Sequence, residues 1–594
     1  MKKKLALLLA LALIFALFSA CGGKGSGGDA TAAPTPGQTA DATTGTDTTD
    51  PPETEDPGPY NFAAGKYETD ENGIPLAPYA YELPLTTTDE VFTLWTSGPI
   101  LQDAVPEGGM ADMDYQAEIR NRTGVTIEYV VTAFGAPGPG PRQDNFMVLL
   151  AADDLPDIVT NVDWYYPGSL QTAFDDEFFV NLYNYREYFP NYWYTANSHP
   201  EDLNLMAKIV PIDETIYAFW CLEYEPVALH NSAMRQDWLA KLGLTNDDIV
   251  TLDDLYNALK GFQTELGIEH PFLLYNTLDA HALFNCFDTT PAIDLSNLGP
   301  PLLDNGKVAF SNTRQQDKDF MTMINGWYNE GLCQPDWQSV LANGTDWVRA
   351  KIIEGEIGCI GLVPAESVDY EKLSPDPNCE WAPIRNPVMQ PGQVFHLGDQ
   401  RSWISYGSWF LSTKCENVPL ACTWADYFYS EEGIFFSNYG VEGVSWEYNE
   451  DGVPQLTELI TDNPGGLSWA VLTYAMNELI DGGVSDRFRS YAYPGGERIA
   501  YYHRYWSDPE NYKFDGSMQW PSAVTFTADE SAEIAQYGTD YSTYVSENYL
   551  LFVDGSKPLS EWDSYIEGIH SLHYEDILAV YQTAYDRFME RFGN

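Results

Sequence analysis

The sequence predicts an α/β protein built from two units of sheet and helix. Strand-like and helix-like segments alternate between Val91 and Thr160 in the order βαβαβ, which is typical of a parallel sheet with helices on its faces. Further strand-like segments follow after residue 217. About 535 residues remain after a signal-like and linker-like N-terminal region, more than one hydrophobic core usually holds. We therefore expect two α/β domains.

The first unit is predicted from local patterns. A strand at Val91–Trp95 is rich in β-branched and aromatic residues, and folding is expected to begin just before it, near residue 85. The other predicted elements are a helix at 115–122 that stops at Gly124, a strand at 125–131, a helix at 145–152 and a strand at 157–160. Ligands of such sheets bind beyond the carboxyl ends of the strands. Residues 95–97 and 161–166 are therefore candidates for the site.

The second unit and the C-terminal region follow the same reasoning. Thr251 and Asp254 form a capping-box-like helix start, and the helix that follows has an apolar face. Further strands are predicted at 217–222, 227–230, 272–275, 357–361, 381–384 and 409–412, the last followed by a helix entered through Pro419. The C-terminal third is predicted to be mostly helical, and its last helix repeats apolar residues at the helical period.

The N-terminus has the pattern of a secretion signal. Residues 2–4 are lysines, residues 5–18 are apolar, and residues 19–21 are Ser-Ala-Cys. The apolar run is too short to cross a bilayer core of ~30 Å as a helix. The cysteine after Ser-Ala resembles a bacterial lipobox, which implies that residues 1–20 are a lipoprotein signal peptide and that Cys21 carries a lipid. The alternative is an ordinary signal followed by an incidental cysteine.

Residues 21–59 have the composition of a disordered tether. From Gly22 to Pro59 the chain contains no aromatic and no large aliphatic residue, so it cannot bury a core. No later stretch approaches 18 uninterrupted apolar residues, so no other membrane-spanning segment is expected. These features predict a globular body on the extracellular face of the cell membrane, attached only through the N-terminal lipid.

Composition narrows the class of ligand. The chain has 88 Asp and Glu against 30 Lys and Arg, a formal net charge of -58. Such a surface repels nucleic acid and anionic membranes, and an anionic ligand would need an arginine clamp. A neutral ligand meets no such barrier. Seventeen Trp and 39 Tyr belong mostly to cores and interfaces, although some are available to line a cleft where rings stack on sugars.

Segments spread along the chain match a known family in their order. They are Leu149–Ile158, Met234–Gly243, Thr251–Tyr256, Trp409–Lys414, Asp426–Gly433, Tyr439–Tyr448, Leu559–Asp563 and Tyr581–Arg587. With them the chain resembles the extracellular solute-binding lipoproteins of carbohydrate ABC importers, specifically the large oligosaccharide-binding members of Gram-positive bacteria. The resemblance implies a non-enzymatic, monomeric receptor that captures a neutral carbohydrate and delivers it to the permease subunits of the transporter.

The same resemblance implies a bilobal, periplasmic-binding-protein-like fold of type II, in which a three-segment hinge joins two α/β domains. By analogy the chain crosses between lobes near residues 220–230, 381–394 and 439–445. Lobe one would be 85–220 plus 395–440, and lobe two 221–394 plus 441–594. Closure of such lobes around a ligand is a hinge motion.

Ten residues are predicted to bind the ligand. Aromatic residues after the strands or near the crossings are candidates for stacking on sugar rings, and Glu442 is a candidate for holding sugar hydroxyls because a carboxylate accepts several hydrogen bonds. The ten are Trp95, Asn161, Trp164, Tyr165, Tyr166, Trp220, Trp403, Trp409, Glu442 and Trp446. For Trp95, Trp403 and Trp409 a place in the core is an equal alternative, and for Glu442 a solvated hinge position is the alternative.

Catalytic and metal-binding signals are weak. The sequence contains no G-x-S-x-G, H-E-x-x-H or G-x-x-x-x-G-K motif, and we expect neither a catalytic residue, a metal nor a cofactor. His570 and His573 are spaced as helix neighbours but suggest no third ligand. The seven cysteines after Cys21 are expected to be mostly buried thiols. Two alternatives remain: an oligopeptide receptor on the same fold, and a surface glycoside hydrolase, which needs only two suitably spaced carboxylates.

Overall fold

The computed structural model describes residues 58–96, 102–131, 140–200, 202–223, 228, 230–274, 284–290, 301–398, 403–475 and 496–593. The signal peptide, Cys21 and nearly all of the predicted tether lie outside these residues. No helix in the described part of the chain is long and apolar enough to cross a membrane.

The strands and helices alternate along most of the described chain. The strands are β1 (Val91–Thr96), β2 (Thr126–Val131), β3 (Ile158–Thr160), β4 (Phe219–Leu222), β5 (Asn231–Arg235), β6 (Pro301–Asp304), β7 (Lys307–Phe310), β8 (Cys359–Leu362), β9 (Trp381–Pro383), β10 (Ile404–Leu411), β11 (Trp446–Tyr448) and β12 (Pro454–Leu456). The first helices are α1 (Asp114–Thr123), α2 (Gly140–Ala151), α3 (Val162–Tyr165), α4 (Leu170–Asp175), α5 (Pro190–Ala196), α6 (Leu203–Ile209), α7 (Gln236–Lys241), α8 (Leu252–Thr264), α9 (Gln315–Asn329), α10 (Ser339–Ile353) and α11 (Pro364–Leu373). The later helices are α12 (Val418–Tyr427), α13 (Glu431–Tyr439), α14 (Glu458–Thr461), α15 (Leu467–Tyr474), α16 (Gly496–Ser507), α17 (Ala528–Val553), α18 (Trp562–His570) and α19 (Tyr574–Phe592).

The first sheet confirms the predicted βαβαβ unit. Its strand order is β2-β1-β3-β10-β4, and β1 runs parallel to both β2 and β3. Strand β10 enters from far along the chain and is antiparallel to β3 and β4. Helix α1 ends where predicted, because Gly124 adopts a left-handed conformation (φ 74°) that favours glycine.

The first core packs helices α1, α5 and α12 against this sheet. Its buried residues run from Leu85 to Leu222 and from Trp409 to Phe436. In α12 the buried carboxylate of Asp426 accepts hydrogen bonds from the backbone N–H groups of Asn191 (3.1 Å) and Tyr192 (2.6 Å) at the start of α5. The two carboxyl oxygens accept from N–H groups that would otherwise be unpaired at a helix N-terminus, so Asp426 joins two helices of this core.

The segment before the first strand is part of this core, which corrects the prediction that folding begins near residue 85. Ala63 is fully buried, and Tyr60, Phe62, Ile74 and Tyr81 pack against the core. The hydroxyl of Tyr81 also donates a hydrogen bond to Asp426 (2.7 Å). The few apolar residues of this turn-rich segment show neither helical nor strand periodicity. The sequence therefore gave no indication that they pack on the first core.

The second sheet differs from the one predicted. Its order is β8-β5-β9, and β5 runs antiparallel to both neighbours. The predicted strands at 357–361 and 381–384 are present as β8 and β9, whereas Phe272 forms only isolated bridges. The central strand is the polar run Asn231–Arg235, and every residue in it is buried. Arg235 is tolerated there because Asp237 accepts two hydrogen bonds from its guanidinium (2.7 and 2.9 Å).

Helix α8 and the C-terminal helices surround the second sheet. Thr251 and Asp254 form the predicted capping box at the start of α8, and Leu255, Leu259 and Phe262 are buried. The last helix, α19, buries Ile577, Val580, Ala584 and Phe588 at the predicted spacing. The second core includes residues of α9, α17, α18 and α19 as well as Phe395. The described chain therefore contains two α/β cores, each with its own sheet.

Candidate functional site

Four strands of the first sheet meet at one edge. Strands β1 and β3 end there because they run parallel, and β10 begins there because it runs antiparallel to β3, with Trp409 opposite Thr160. Strand β4 ends at the same edge, since Ile404 pairs with Leu222. Ligands of open α/β sheets bind at the carboxyl ends of the strands. This edge is therefore the candidate site.

The residues just after β3 are held in place by backbone contacts to β10. Asn161 adopts a left-handed conformation (φ 53°), and its N–H donates a hydrogen bond to the carbonyl oxygen of Ser408 (2.9 Å). This turn starts the short helix α3, which carries Asp163 and Trp164. The amide oxygen of Asn161 is buried with no hydrogen-bond partner among the described residues.

Asp163, Lys208 and Ser408 form a polar group at this edge. The hydroxyl of Ser408 donates a hydrogen bond to Asp163 (2.9 Å), and the ammonium of Lys208 lies 3.9 Å from the other carboxylate oxygen. Lys208 also lies over the ring of Trp220, 4.0 Å from its centre. Burial lowers the pKa of Lys208, and the Coulomb attraction of Asp163 partly offsets that effect. The group offers both a donor and an acceptor.

Trp164 is the exposed aromatic residue of the site. Its side chain is 53% exposed, and its ring meets the ring of Tyr165 edge-on at 6.4 Å. Tyr165 is buried against Trp95, with ring centres 5.5 Å apart. A large apolar ring left in solvent on a short, packed helix is suited to stacking on a ligand.

Trp403 lies at the other end of the edge. Its ring stacks on His199 with centres 3.5 Å apart and planes 17° apart, and its carbonyl oxygen accepts a hydrogen bond from the N–H of Glu223 (2.8 Å). Trp403 is partly exposed. We use the name edge cluster for Asn161, Asp163, Trp164, His199, Lys208, Trp220, Trp403 and Ser408.

Of the other predicted aromatic residues, Trp95, Tyr165 and Trp409 lie in the protein interior, which was the alternative to a ligand contact. Trp95 is fully buried and donates its indole N–H to Asn145 (2.8 Å). Trp409 is fully buried and stacks on Trp424 at 4.7 Å. Tyr166 is partly buried against Phe178. In this conformation Trp95, Tyr165, Trp220 and Trp409 present little or no surface to a ligand.

Glu442 and Trp446 belong to a different group, around the start of β11. Trp446 is buried between the rings of Phe435, Tyr439 and Tyr448, and its indole N–H donates to the carbonyl oxygen of Gly440 (3.2 Å). Glu442 is exposed. The structure does not join these two residues to the edge cluster by any contact between described residues.

Sequence reasoning missed His199, Lys208 and Ser408, and it included Asp163 only within the candidate segment 161–166. Asp163 carried a usable signal, since it lies beside Trp164 directly after β3. Lys208 and His199 carried none, because they reach the edge through the packing of α6 and the segment before it. Ser408 is hidden in an apolar strand.

The remaining candidate groups are metal ligands and cysteine thiols. The part of the chain with described placement holds no group of three or more His, Cys, Asp or Glu residues arranged to bind a metal. The seven predicted thiols are buried and free, as expected: Cys221, Cys286, Cys333, Cys359, Cys379, Cys415 and Cys422. Burial raises the pKa of Cys286 and of Cys415 to about 12, so neither thiol is poised as a nucleophile.

Comparison with solved structures places the fold in a known class. The fold is the bilobal α/β fold of the solute-binding proteins of ABC transporters, as predicted. No protein-family model and no curated protein sequence matches the chain. The alginate-binding protein AlgQ2 is 22% identical, with a TM-score of 0.62 over 84% of this chain and 99% of that one. An extracellular solute-binding protein from Bifidobacterium longum subsp. infantis is 17% identical, with a TM-score of 0.64 over 88% of this chain and 100% of that one.

A third solved structure is the ABC-transporter substrate-binding protein FusA of Streptococcus pneumoniae in complex with kestose. It is 18% identical, with a TM-score of 0.60 over 84% of this chain and 100% of that one. At these identities the likeness establishes the fold. The resemblance read from the sequence is therefore confirmed at the level of architecture.

Proposed function

We propose that the protein is the lipid-anchored, extracellular substrate-binding component of an ABC importer. It captures a neutral carbohydrate of several sugar units between its two lobes and delivers it, unaltered, to the permease. The observation that carries this proposal is the exposed ring of Trp164 beside Asp163 and Lys208, at the carboxyl edge of the first sheet. Solved proteins of the same fold are described as binding alginate or kestose.

The chemistry of the edge cluster suits a sugar. A flat indole packs against the C–H face of a pyranose or furanose ring. Asp163 accepts and Lys208 donates hydrogen bonds, which are the two functions that hydroxyl groups require. The Asp163–Lys208 pair is locally neutral, and the acidic chain as a whole disfavours anions. A neutral polyhydroxylated ligand therefore fits better than a phosphorylated or carboxylated one.

The two cores are the moving bodies in this proposal. We assign the lobes nearly as the sequence suggested, with one change near the second crossing. Phe395 packs in the second core and its N–H donates to the carbonyl oxygen of Lys513 (2.7 Å), so lobe two extends beyond residue 394. The crossings then lie between β4 and β5, between Leu397 and Trp403, and after α13. Lobe closure buries the ligand against Trp164.

A binding screen tests the proposal. Calorimetric titration of the full chain with neutral oligosaccharides of different linkages should find at least one ligand in the micromolar range or tighter. The Trp164→Ala variant should lose affinity for that ligand while remaining folded. Binding of peptides with no glycan binding would favour the oligopeptide alternative. Release of products from a glycan, abolished by changing a single Asp or Glu, would favour a hydrolase.

The anchor has its own test. In the source bacterium the protein should fractionate with membranes, and mass spectrometry should find an acylated cysteine at the mature N-terminus. The Cys21→Ala variant should be released into the medium, whereas Cys379→Ala, which alters a buried thiol, should remain attached. Release of the unmodified protein into the medium would contradict lipidation.

A further inference from the structure

A cavity is lined by segments that adjoin the edge cluster along the chain. Its volume is about 780 Å³, within the range of roughly 300–1,000 Å³ that small-molecule sites occupy. One wall comes from α4, α6 and the segment before β4. The other comes from the segment before α17, the first residues of α17 and the end of α19. The cavity is therefore built from elements of both cores.

One wall presents a chain of oriented polar groups. The hydroxyl of Tyr217 donates to the amide oxygen of Gln171 (2.7 Å), and the amide nitrogen of Gln171 donates to Asp175 (2.7 Å). These bonds fix the planes of an amide and a carboxylate at the cavity surface. Planar groups already oriented by the protein bind sugar hydroxyls with little loss of side-chain freedom.

The opposite wall carries apolar rings among polar residues, and its positive charges are neutralised. Phe526 and Phe588 line it. The guanidinium of Arg587 makes a two-point pair with Glu530 (2.7 and 2.8 Å), and Arg591 pairs with Asp213 (2.8 Å). Both arginines on the wall are thus occupied by carboxylates, so the described lining residues offer no free clamp of the kind that an anionic ligand requires.

The cavity and the edge cluster share their supporting segments. The cavity lining begins at Gly168, four residues after Trp164, so their Cα atoms are at most ~14 Å apart by chain length alone. Ala207, which lines the cavity, precedes Lys208 of the edge cluster. A monosaccharide stacked on Trp164 would leave the cavity empty, whereas a longer glycan reaches it.

We infer that the cavity is a subsite for the distal sugar units of an oligosaccharide whose first unit stacks on Trp164. This inference rests on the proposed function and adds to it a second sugar subsite, which only a glycan of more than two units would fill. The glycan would contact the Gln171–Asp175 pair on one side and Phe526 on the other. Because the two walls belong to different cores, chain length would also favour lobe closure.

The test compares ligand lengths in matched variants. The variant Gln171→Ala/Asp175→Asn removes the polar wall. Its control is Gln315→Ala/Asp319→Asn, which alters an identical exposed pair (2.7 Å) on α9, outside the cavity lining. Both proteins and the unaltered full chain are titrated with the series from maltose to maltohexaose, cellobiose to cellohexaose and xylobiose to xylohexaose, and with kestose and nystose.

For the series that binds, the cavity variant should lose at least about tenfold in affinity for glycans of four or more units, and less than about twofold for the disaccharide. The control should match the unaltered protein. Phe526→Ala should show the same dependence on length. An equal loss at all lengths, or no loss, overturns the inference while leaving the proposed function intact. Absence of binding by every glycan in the unaltered protein overturns both.

Discussion

Two tryptophans of the first sheet lie close together and have opposite surroundings. Trp409 stands within β10 opposite Thr160, and it is fully buried against Trp424. Trp164 follows Thr160 by four residues and is half exposed. The difference comes from position relative to the strand end, since a residue within a central strand is covered by helices and a residue past its end is not. The same side chain thus supports the fold in one place and is offered to a ligand in the other.

The largest expected effect is the loss of stability on substitution of the buried Trp409. Trp409→Ala should lower the free energy of unfolding by about 3–5 kcal/mol, because it removes a buried ring and leaves a cavity beside Trp424. Denaturant unfolding followed by circular dichroism measures this. The Trp164→Ala control should stay within about 0.5 kcal/mol of the unaltered protein. Equal losses of unfolding free energy in the two variants would contradict the assignment of Trp409 to the core and Trp164 to the surface.

Asp426, two residues after Trp424, provides a second test of the buried region around Trp409. Burial raises the pKa of Asp426 to about 7, although hydrogen bonds from Tyr192, Tyr81 and Asn191 act in the opposite direction. An unfolded aspartate has a pKa of about 3.9, so the folded state binds this proton more tightly. The stability gained is fully present below about pH 4 and is lost as the pH rises through 7.

The difference in unfolding free energy between the unaltered protein and Asp426→Asn should therefore shrink by roughly 1–4 kcal/mol between pH 4 and pH 7.5. Urea titrations at a series of pH values measure it. Trp409→Ala keeps this carboxyl group and should keep the slope of the unaltered protein. A difference that grows as the pH rises would mean that the hydrogen bonds outweigh burial.

Substitution of the exposed Trp164 should change ligand affinity and leave the stability of the fold unchanged. Trp164→Ala should weaken the identified glycan by about tenfold, or ~1.4 kcal/mol, and Trp164→Phe should retain most of the affinity because a flat ring remains. Isothermal calorimetry measures both variants. Unchanged glycan affinity in Trp164→Ala would show that the Trp164 ring does not contact the ligand.

The smallest effect concerns the stack of His199 on Trp403. His199→Asn should weaken glycan binding about two- to fivefold, or roughly 0.5–1 kcal/mol, by loosening the orientation of Trp403. A matched stack of His573 on Tyr537 lies elsewhere, with ring centres 4.1 Å apart. His573→Asn should leave binding unchanged. A similar loss in both variants would indicate a general effect on the fold.

Strand and helix order followed from the sequence because both depend on local periodicity. The first three strands and the intervening helices lie close to their predicted bounds. The central strand of the second sheet escaped prediction, since Asn231, Ser232 and Arg235 do not look like buried strand residues. These residues form a buried strand because β8 and β9 pair with it on both sides. Asp237 accepts a hydrogen bond from the guanidinium of Arg235.

The candidate site was predicted in part, and for a definable reason. Trp164 and Asn161 could be chosen because they directly follow a strand, and the edge of a parallel sheet is where ligands bind. Lys208 could not be chosen, since its contact with Asp163 depends on how α6 packs some 45 residues later in the chain. Contacts of this kind have no local signature.

The amino-acid order by itself predicted the strands and helices of the first unit and the α/β class, because these arise from short-range patterns, and it set the acidic composition that disfavours anions. Tertiary packing alone decided which aromatic rings face solvent. Burial of a ring depends on the helices that cover it, and those helices come from distant parts of the chain: α12 covers Trp409, and no element covers Trp164 to the same extent.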